Sequence, residues 1–289
     1  MATDFTESNA ADAVIASFAD TPDPRLRNVL TSLVRHLHDF VRDVELTSAE
    51  WEKAIEFLTA VGHMCDDKRQ EFILLSDVLG VSMLVETLNA RGPEAVTAST
   101  VLGPFHVVES PARRLGDSID LLGDGPPCVV EGRVVSLDGT PLPGAQLDVW
   151  QANDQGFYDV QQPDVQPLGN GRGLFTADSE GRFRFRTVLP SHYPIPTDGP
   201  VGQLLNETNR HPYRPAHIHI IVSADGHAPV VTHVFVADSP YIESDAVFAV
   251  KRSLIHEFRE VSDPDEAERY GVTAPFRLAN VDLVLEPES

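Results

Sequence analysis

The stretch RPAHIHIIV, residues 214–222, predicts a β-strand that carries two polar side chains near its start. Side chains alternate across a strand, so His217 and His219 point to one face while Ile218 and Ile220 point to the other. Two imidazoles on one face are half of a metal site. The pair alone is a weak signal, because an exposed strand face would read the same and many unrelated zinc and iron proteins use this spacing.

Two tyrosines upstream lie in segments that suit the same site. Tyr158 ends LDVWQANDQGFY (147–158), and Tyr193 begins YPIPTDGPVG (193–202). A phenolate is an anionic oxygen donor, which matches a hard cation such as Fe(III) better than a divalent ion. The histidine pair and the two tyrosines together predict a site for a trivalent metal.

Composition and charge restrict the partners of the chain. Its 289 residues allow one large domain or two smaller ones, and 42% hydrophobic residues can fill a core. Forty-four acidic against 22 basic residues give a formal net charge of -22, which argues against nucleic acid and anionic membranes as partners. We predict a cytoplasmic protein, since no signal-peptide pattern and no membrane-spanning apolar run is present.

The first hundred residues have a helical character. Apolar residues recur at helical spacing over residues 30–41, and the capping-box pattern TSAE (47–50) predicts the start of a second helix. A third helix is predicted from about Asp67 to Asn89, with a break at Gly80, before RGP (91–93) ends it. We predict a helical N-terminal segment over residues 1–102.

From Gly103 onward the pattern becomes that of a β protein. Short alternating runs are separated by turn signals, which is typical of an antiparallel sandwich. The predicted strands include residues 128–135, 145–150, 174–175, 182–185, 217–222 and 230–236. Two long irregular segments, 153–171 and 190–215, carry the tyrosines, and long ordered loops are usually functional. We predict a mainly β fold, with the sandwich over residues 103–289.

These segments, from about Gly103 to about Val236, resemble the intradiol ring-cleaving dioxygenases. That family consists of non-haem Fe(III) enzymes that open catechols between their two hydroxyls. The resemblance implies one Fe(III) per chain, held by Tyr158, Tyr193, His217 and His219. It also implies a homodimer formed through the N-terminal helices, where some relatives hold a lipid. An intramolecular helical cap would give the same apolar stripes.

The resemblance implies catalytic roles for two residues. Arg214 would face the substrate and stabilise charge as the aromatic ring is attacked. Tyr193 would leave the metal and take a substrate proton. Both atoms of O2 would enter the product, and no nicotinamide cofactor is expected, which agrees with the lack of a glycine-rich dinucleotide fingerprint after the predicted strands.

The pocket wall is predicted from further matching segments. The substrate-facing residues implied by the resemblance are Leu74, Asp77, Val101, Leu102, Gly103, Pro104, Phe105, Ile195, Pro196, Arg214 and His233. Asp77 would accept a hydrogen bond from a third ring hydroxyl, unless it is a solvated helix residue. His233, where catechol-cleaving relatives typically have glutamine, and LGVSML (79–84) resemble the branch that acts on hydroxyquinol, 1,2,4-trihydroxybenzene.

Three alternatives stay open on the sequence. The substrate could be catechol or a chlorocatechol rather than hydroxyquinol. The chain could be a metal-free sandwich that acts as a binding module with a helical arm. It could also be a divalent-metal enzyme that combines the His-x-His pair with a carboxylate.

Overall fold

The alternating runs form two five-stranded sheets in a computed structural model that describes residues 4–66, 69–90, 92–106 and 110–288. The chain divides into two compact units, residues 1–60 and residues 61–289. The predicted domain boundary at residues 102–103 stays a prediction. It lies well after the division between the two units, since residues 61–102 group with the sheets.

The first unit is helical. Its helices are α1 (Ala10–Ala16), α2 (Pro24–Asp43) and α3 (Ser48–His63), the last of which ends three residues inside the second unit. The predicted capping box is confirmed, because Glu50 Oε2 accepts from Thr47 N at 2.9 Å and Thr47 Oγ1 accepts from Glu50 N at 3.3 Å. The apolar face of α2 is exposed.

The third predicted helix is two helices. They are α4 (Glu71–Val78) and α5 (Val81–Asn89). Gly80 separates them with a φ of 72°, a left-handed conformation that glycine adopts without steric cost. Asp67 and Arg91, at the predicted ends of this region, lie outside the described residues. The break at Gly80 is therefore confirmed, and α4 begins at Glu71.

The remaining elements of the second unit are mostly strands. They are β1 (Pro127–Ser136), β2 (Gln146–Gln151), β3 (Arg172–Thr176), β4 (Arg182–Val188), β5 (Tyr193–Pro194), α6 (Pro200–Glu207), β6 (Tyr213–Arg214), β7 (His217–Ser223), β8 (Val230–Val236), β9 (Ile255–His256), β10 (Arg259–Val261), α7 (Pro264–Tyr270), β11 (Phe276–Asn280) and β12 (Leu283–Leu285). In the described residues one sheet has the order β10-β11-β1-β12 with β4 beside β1, and the other has β3-β2-β7-β8-β9.

The predicted sandwich is confirmed, and its sheets are mixed. Strand pairs β1–β4, β2–β3, β2–β7 and β7–β8 are antiparallel, as predicted. Strands β11 and β12 run parallel to β1, because the C-terminal part of the chain returns along β1 in the same direction. One apolar core lies between the sheets, and it includes Cys128, Val130, Leu147, Val149, Phe183, Phe185, Ile218, Ile220, Val222, Val234 and Leu283.

The alternation of β7 decides where the histidines lie. Ile218, Ile220 and Val222 enter the core, so His217 and His219 lie on the outer face of their sheet. The register places Trp150 of β2 and His233 of β8 directly beside His219. Cross-strand neighbours share a face, so a row of aromatic rings runs across β2, β7 and β8.

Within the described residues, no helix has the length and apolar character needed to cross a membrane.

Candidate metal centre and substrate pocket

Two imidazole nitrogens lie side by side on β7. His217 Nε2 and His219 Nε2 are 3.2 Å apart, and the residues are 1% and 2% exposed. His217 Nδ1 donates to Pro215 O at 2.7 Å, which fixes the tautomer and leaves the Nε2 lone pair available to a metal. The two histidines share a face as the sequence predicts, and that face is buried rather than exposed.

Two phenol oxygens close a ring with these nitrogens. Tyr158 Oη lies 3.1 Å from His219 Nε2 and 3.2 Å from Tyr193 Oη. Tyr193 Oη lies 3.4 Å from His217 Nε2. Both tyrosines are buried, and they come from the two long segments that join strands. The structure thus brings together the four residues that the sequence suggests as ligands.

The ring has the size of a metal coordination shell. Ligand atoms bonded at about 2.0–2.1 Å to one ion are about 2.8–3.4 Å apart, from octahedral to tetrahedral angles. The four contacts of 3.1 to 3.4 Å around the ring match that range. Two imidazoles with two phenolates are a donor set suited to a hard trivalent ion, so the residues present fit Fe(III).

The electrostatics of the ring favour the same occupant. Burial, with Tyr193 adding to it, raises the pKa of Tyr158 well above its usual value. Burial also lowers the pKa of His217 and of His219 well below the usual value, with Arg214 adding to the effect at His217. Both imidazoles are therefore neutral, the form that binds a metal, while the Tyr158 phenol needs a cation beside it to ionise.

A second set of groups, His217, His219 and His233, also suits a metal by spacing alone. One ring nitrogen from each lies within 4.8 Å of the others. The tyrosine-containing ring is tighter, and Nδ1 of His233 is already hydrogen-bonded to Thr100 Oγ1. We favour the set with two phenols because its neighbouring atoms are 3.1 to 3.4 Å apart, whereas the three histidine nitrogens lie within 4.8 Å of one another.

Arg214 is buried beside the ring. Its Nη1 lies 3.3 Å from His217 Nε2, and β6 pairs it directly with Tyr193 on β5. Asp245 accepts from Arg214 Nε at 3.1 Å and from Nη2 at 3.3 Å. Burial works against the charge, but the neighbouring Asp245 outweighs it and keeps the pKa of Arg214 above its usual value. A cation held by Asp245 therefore lies beside the ring of candidate ligands.

Asp77 of α4 lies in the same electrostatic neighbourhood. It is buried, and this burial raises the pKa of its carboxyl, whereas a hydrogen bond from Ser82 and the charge of Arg214 lower it. Asp77 is therefore not the solvated helix residue that the sequence leaves open. Its carboxyl is a polar group in a largely dry setting close to Arg214.

Only some of the residues predicted to form the pocket wall contact the ring of candidate ligands. Gly103 packs on His219, because a Cβ there would lie 3.0 Å from His219 Cε1, and Phe105 stacks on Tyr158 with ring centroids 4.6 Å apart. Ile195 is buried beside Tyr193 in the chain. Leu74, Val101 and Pro196 are half-buried, whereas Leu102 and Pro104 are exposed. The contact of all eleven predicted substrate-facing residues with a substrate stays a prediction.

Several residues that support the ring were missed at the sequence level. Asp159 and Arg172 form a buried ion pair next to Tyr158, with contacts of 2.8 Å from Nε and 2.7 Å from Nη2 to Asp159 Oδ1. Trp150 stacks on His219 at 4.6 Å with an angle of 10° between the rings. A buried arginine requires an acidic partner, but neither Asp159 nor Asp245 has a local motif that would identify it.

The comparison with known proteins assigns the class. A family model described as "Catechol dioxygenase N terminus" matches residues 23–97, and one described as "Dioxygenase" matches residues 107–284. The chain belongs to the intradiol ring-cleavage dioxygenase family, and it is an enzyme of that type.

The chain is also similar to individual enzymes of this family over nearly its whole length. The hydroxyquinol 1,2-dioxygenase of Rhizobium sp. (strain MTP-10005) is 53% identical over 267 residues, which cover 92% of this chain and 90% of that protein. The solved structure of hydroxyquinol 1,2-dioxygenase from Pseudomonas putida DLL-E4 has a TM-score of 0.93 at 48% identity and covers 98% of this chain and 99% of that one. Catechol 1,2-dioxygenase from Acinetobacter sp. ADP1 has a TM-score of 0.85 at 30% identity and covers 100% and 95%. The resemblance seen in the sequence is confirmed.

The Asp159–Arg172 pair should be needed for the stability of the Tyr158 segment. Arg172→Met leaves the Asp159 carboxylate buried without its partner, which we expect to cost about 3–5 kcal/mol. The expected result is a fall in the melting temperature of the protein by roughly 10 °C. Arg182→Met is the matched control, because Arg182 pairs with Glu180 at an exposed site and such pairs are worth about 0–1 kcal/mol. Equal melting temperatures for the two variants would contradict the anchoring role.

Proposed function

We propose that this enzyme opens the ring of hydroxyquinol between its two adjacent hydroxyls, with O2 as the second substrate. The product would be 3-hydroxy-cis,cis-muconate, the enol form of maleylacetate. The observation that carries the proposal is the buried carboxyl of Asp77, whose charge interacts with that of Arg214. Arg214 in turn lies beside the two-imidazole, two-phenol ring, 3.3 Å from His217 Nε2. The higher identity to the hydroxyquinol enzymes than to the catechol enzyme supports this substrate.

The metal in this proposal is one non-haem Fe(III) per chain. Tyr158, Tyr193, His217 and His219 would hold it through the four atoms that form the closed ring. When bound, ferric iron supplies a Lewis-acidic and redox-active centre that activates the diol toward O2. Two phenolates would cancel two of the three positive charges of Fe(III), and the neutral imidazoles would cancel none. The one positive charge that remains favours binding of an anionic diol.

Arg214 would stabilise negative charge on the bound substrate. Its guanidinium is fixed by Asp245, which in turn accepts from the backbone N–H groups of Ala249 at 3.0 Å and Val247 at 3.3 Å. A cation already held in place by such a network does not have to reorganise as charge develops. Arg214 is therefore suited to a substrate that binds as an anion.

Tyr193 would accept a proton from a substrate hydroxyl at its Oη. That atom lies between Tyr158 Oη and His217 Nε2, at 3.2 and 3.4 Å. The backbone of Tyr193 on β5 is paired with that of Arg214 on β6. A phenolate that leaves a metal becomes basic again, because the cation no longer stabilises its charge. The proton would then stay on Tyr193 Oη in a region closed to water.

Asp77 would select the third hydroxyl of the ring. A substrate that lacks the third hydroxyl would leave the buried Asp77 carboxyl without this hydrogen bond. An unpaired buried polar group is unfavourable, so such a substrate would bind more weakly. Catechol and chlorocatechols lack the third hydroxyl. They are the second candidate substrates, and the choice between them and hydroxyquinol rests on this carboxyl.

The selectivity test compares Asp77→Ala with the wild-type enzyme by oxygen uptake. We expect kcat/KM for hydroxyquinol to fall about 100-fold, while kcat/KM for catechol changes by only about threefold. Asp43→Ala, at an exposed position of α2, is the control for the loss of a carboxylate. No-enzyme reactions correct for the oxidation of hydroxyquinol in air. Equal losses with both substrates would remove Asp77 from the selection of substrate.

The metal assignment is tested by the colour and metal content of the protein. Phenolate-to-Fe(III) charge transfer should give the purified protein a visible absorption band, and Tyr158→Phe or His219→Ala should bleach the band or release the iron. Tyr270→Phe is the control, because its hydroxyl donates to Glu131 at 2.9 Å, away from the ring. Full iron and full activity in Tyr158→Phe would remove Tyr158 from the ligand set.

The same measurement separates the other two alternatives. Colourless protein that gains no colour with added iron would favour a metal-free binding module. Zinc or ferrous iron without a phenolate band would favour a divalent-metal enzyme.

A homodimer through the N-terminal helices is a further part of the proposal. One face of α2 exposes Leu26, Val29, Leu33, Leu37 and Phe40, and α3 exposes Trp51, Ile55 and Leu58. Exposed apolar patches of this extent mark interaction surfaces. A second copy of the chain would bury them, although the net charge of -22 opposes association. A lipid between the helices stays a prediction, as does the cytoplasmic location.

The dimer is tested by sedimentation of Leu37→Glu. We expect the wild-type protein to sediment at twice the chain mass, and the variant to dissociate with a Kd about 100-fold weaker, since burying a charge costs about 3 kcal/mol. Asn28→Glu adds the same charge on the opposite side of α2 and should leave the dimer intact. A monomeric wild-type protein would refute the proposed interface.

A further inference from the structure

The two ring nitrogens of His233 have different surroundings. Nδ1 is hydrogen-bonded to Thr100 Oγ1, whereas Nε2 has no hydrogen-bond partner among the residues that the structure describes. The ring is fully buried and packs against those of His219 and His217, with centroids 4.1 and 4.8 Å away. A buried nitrogen left open beside the candidate ligands calls for a partner that arrives with a bound molecule.

The Thr100 hydroxyl determines which nitrogen carries the proton. Thr100 is 1% exposed, and in the described part of the chain its hydroxyl contacts only His233. If Nδ1 carried the proton and donated it to Oγ1, the hydroxyl hydrogen would be buried without an acceptor, which is unfavourable. If the hydroxyl donates to Nδ1, no hydrogen at this contact is left over. The neutral ring then carries its proton on Nε2.

We propose that Thr100 is a positioning residue that holds His233 as an Nε2–H donor beside the ring of candidate ligands. There the Nε2–H group would hydrogen-bond an oxygen of the bound aromatic diol or triol. The identity of that oxygen rests on the proposed function, whereas the tautomer of His233 does not.

The tautomer also explains why His233 is not a ligand despite its spacing. A metal binds the lone pair of a neutral imidazole nitrogen, and Nε2–H has no lone pair to offer. Nδ1 is taken up by Thr100. The same hydroxyl thus keeps a third imidazole out of the coordination shell and makes it a hydrogen-bond donor to whatever binds there.

The backbone around Thr100 is fixed to the strand that carries His233. Thr100 N donates to Val231 O at 2.8 Å, and the Ser99 hydroxyl donates to Glu86 Oε1. Lys251 Nζ donates to Ser99 O at 2.7 Å. Val231 lies two residues before His233 on β8, so the Thr100 hydroxyl and the His233 imidazole are fixed relative to each other by the same strand.

The tautomer can be measured by ¹⁵N NMR on the full-length protein labelled at histidine. The iron is removed, or replaced by diamagnetic Ga(III), and His233→Gln identifies the His233 signals by their loss. We expect an unprotonated Nδ1 and a protonated Nε2 in the wild type and in Thr100→Ser. In Thr100→Val the form protonated at Nδ1 should become populated. A wild-type ring protonated at Nδ1 overturns the proposal, whatever the activity.

The role in binding is tested by oxygen uptake with hydroxyquinol. We expect kcat/KM to be about tenfold lower in Thr100→Val and within about twofold of wild type in Thr100→Ser, with iron content unchanged in both. Thr187→Val is the matched control, because the Thr187 hydroxyl is also buried and has no partner in the described residues. Equal activity of Thr100→Val and Thr100→Ser, or an equal loss in Thr187→Val, overturns the role.

The two measurements keep this proposal separate from the proposed function. If the wild-type protein consumes no O2 with any diol, the proposed function fails, and the NMR signals still decide whether Thr100 sets the tautomer of His233.

Discussion

Four donor atoms, two imidazole nitrogens and two phenol oxygens, are held 3.1 to 3.4 Å apart where water is excluded. This crowding is the constraint on which the candidate site depends. In a dry setting a phenol resists ionisation and an imidazole resists protonation, so the ring is neutral by itself. A cation at its centre would make phenolates of the two tyrosines and would leave the imidazoles as they are. The roles proposed for Arg214, to stabilise charge on the substrate, and for Asp77, to select its third hydroxyl, both require a cation in the ring.

The sandwich makes this crowding possible by using the two faces of one sheet differently. The core-facing residues of β7 are apolar, and the outward-facing residues carry the imidazoles. Trp150 and His233 lie on either side of His219 in the register, so the ring of His219 is held between neighbouring strands. The tyrosines come from the long connecting segments, and their buried side chains contact the two histidines on this face. The two imidazoles are thus on the seven-residue strand β7, whereas Tyr193, which is proposed to accept a proton, is on the two-residue strand β5 within a long connecting segment.

The sequence contains much of the fold and of the proposed ligand set, because both depend on local patterns. Alternation predicts β8 to the residue, and the His-x-His pair with the two tyrosine segments predicts the ring. Partners brought together by the fold could not be predicted in the same way. Asp245 is 31 residues from Arg214, and Thr100 is 133 residues from His233. No local sequence pattern around these residues predicts either contact. The strands β11 and β12 were missed for a related reason, since each is short and is defined by its pairing with β1.

Gly103 links the predicted pocket wall to the metal centre. Its φ of 77° is one that other residues rarely adopt, and a Cβ would lie 3.0 Å from the ring of His219. The segment that would shape the cavity around the aromatic ring therefore rests directly on a proposed ligand of the iron. Any change of bulk at this point, whether by natural drift or by engineering, pushes on the imidazole as well as on the cavity. Under the proposed function, a bulkier residue at position 103 would therefore alter both the range of substrates and the binding of iron.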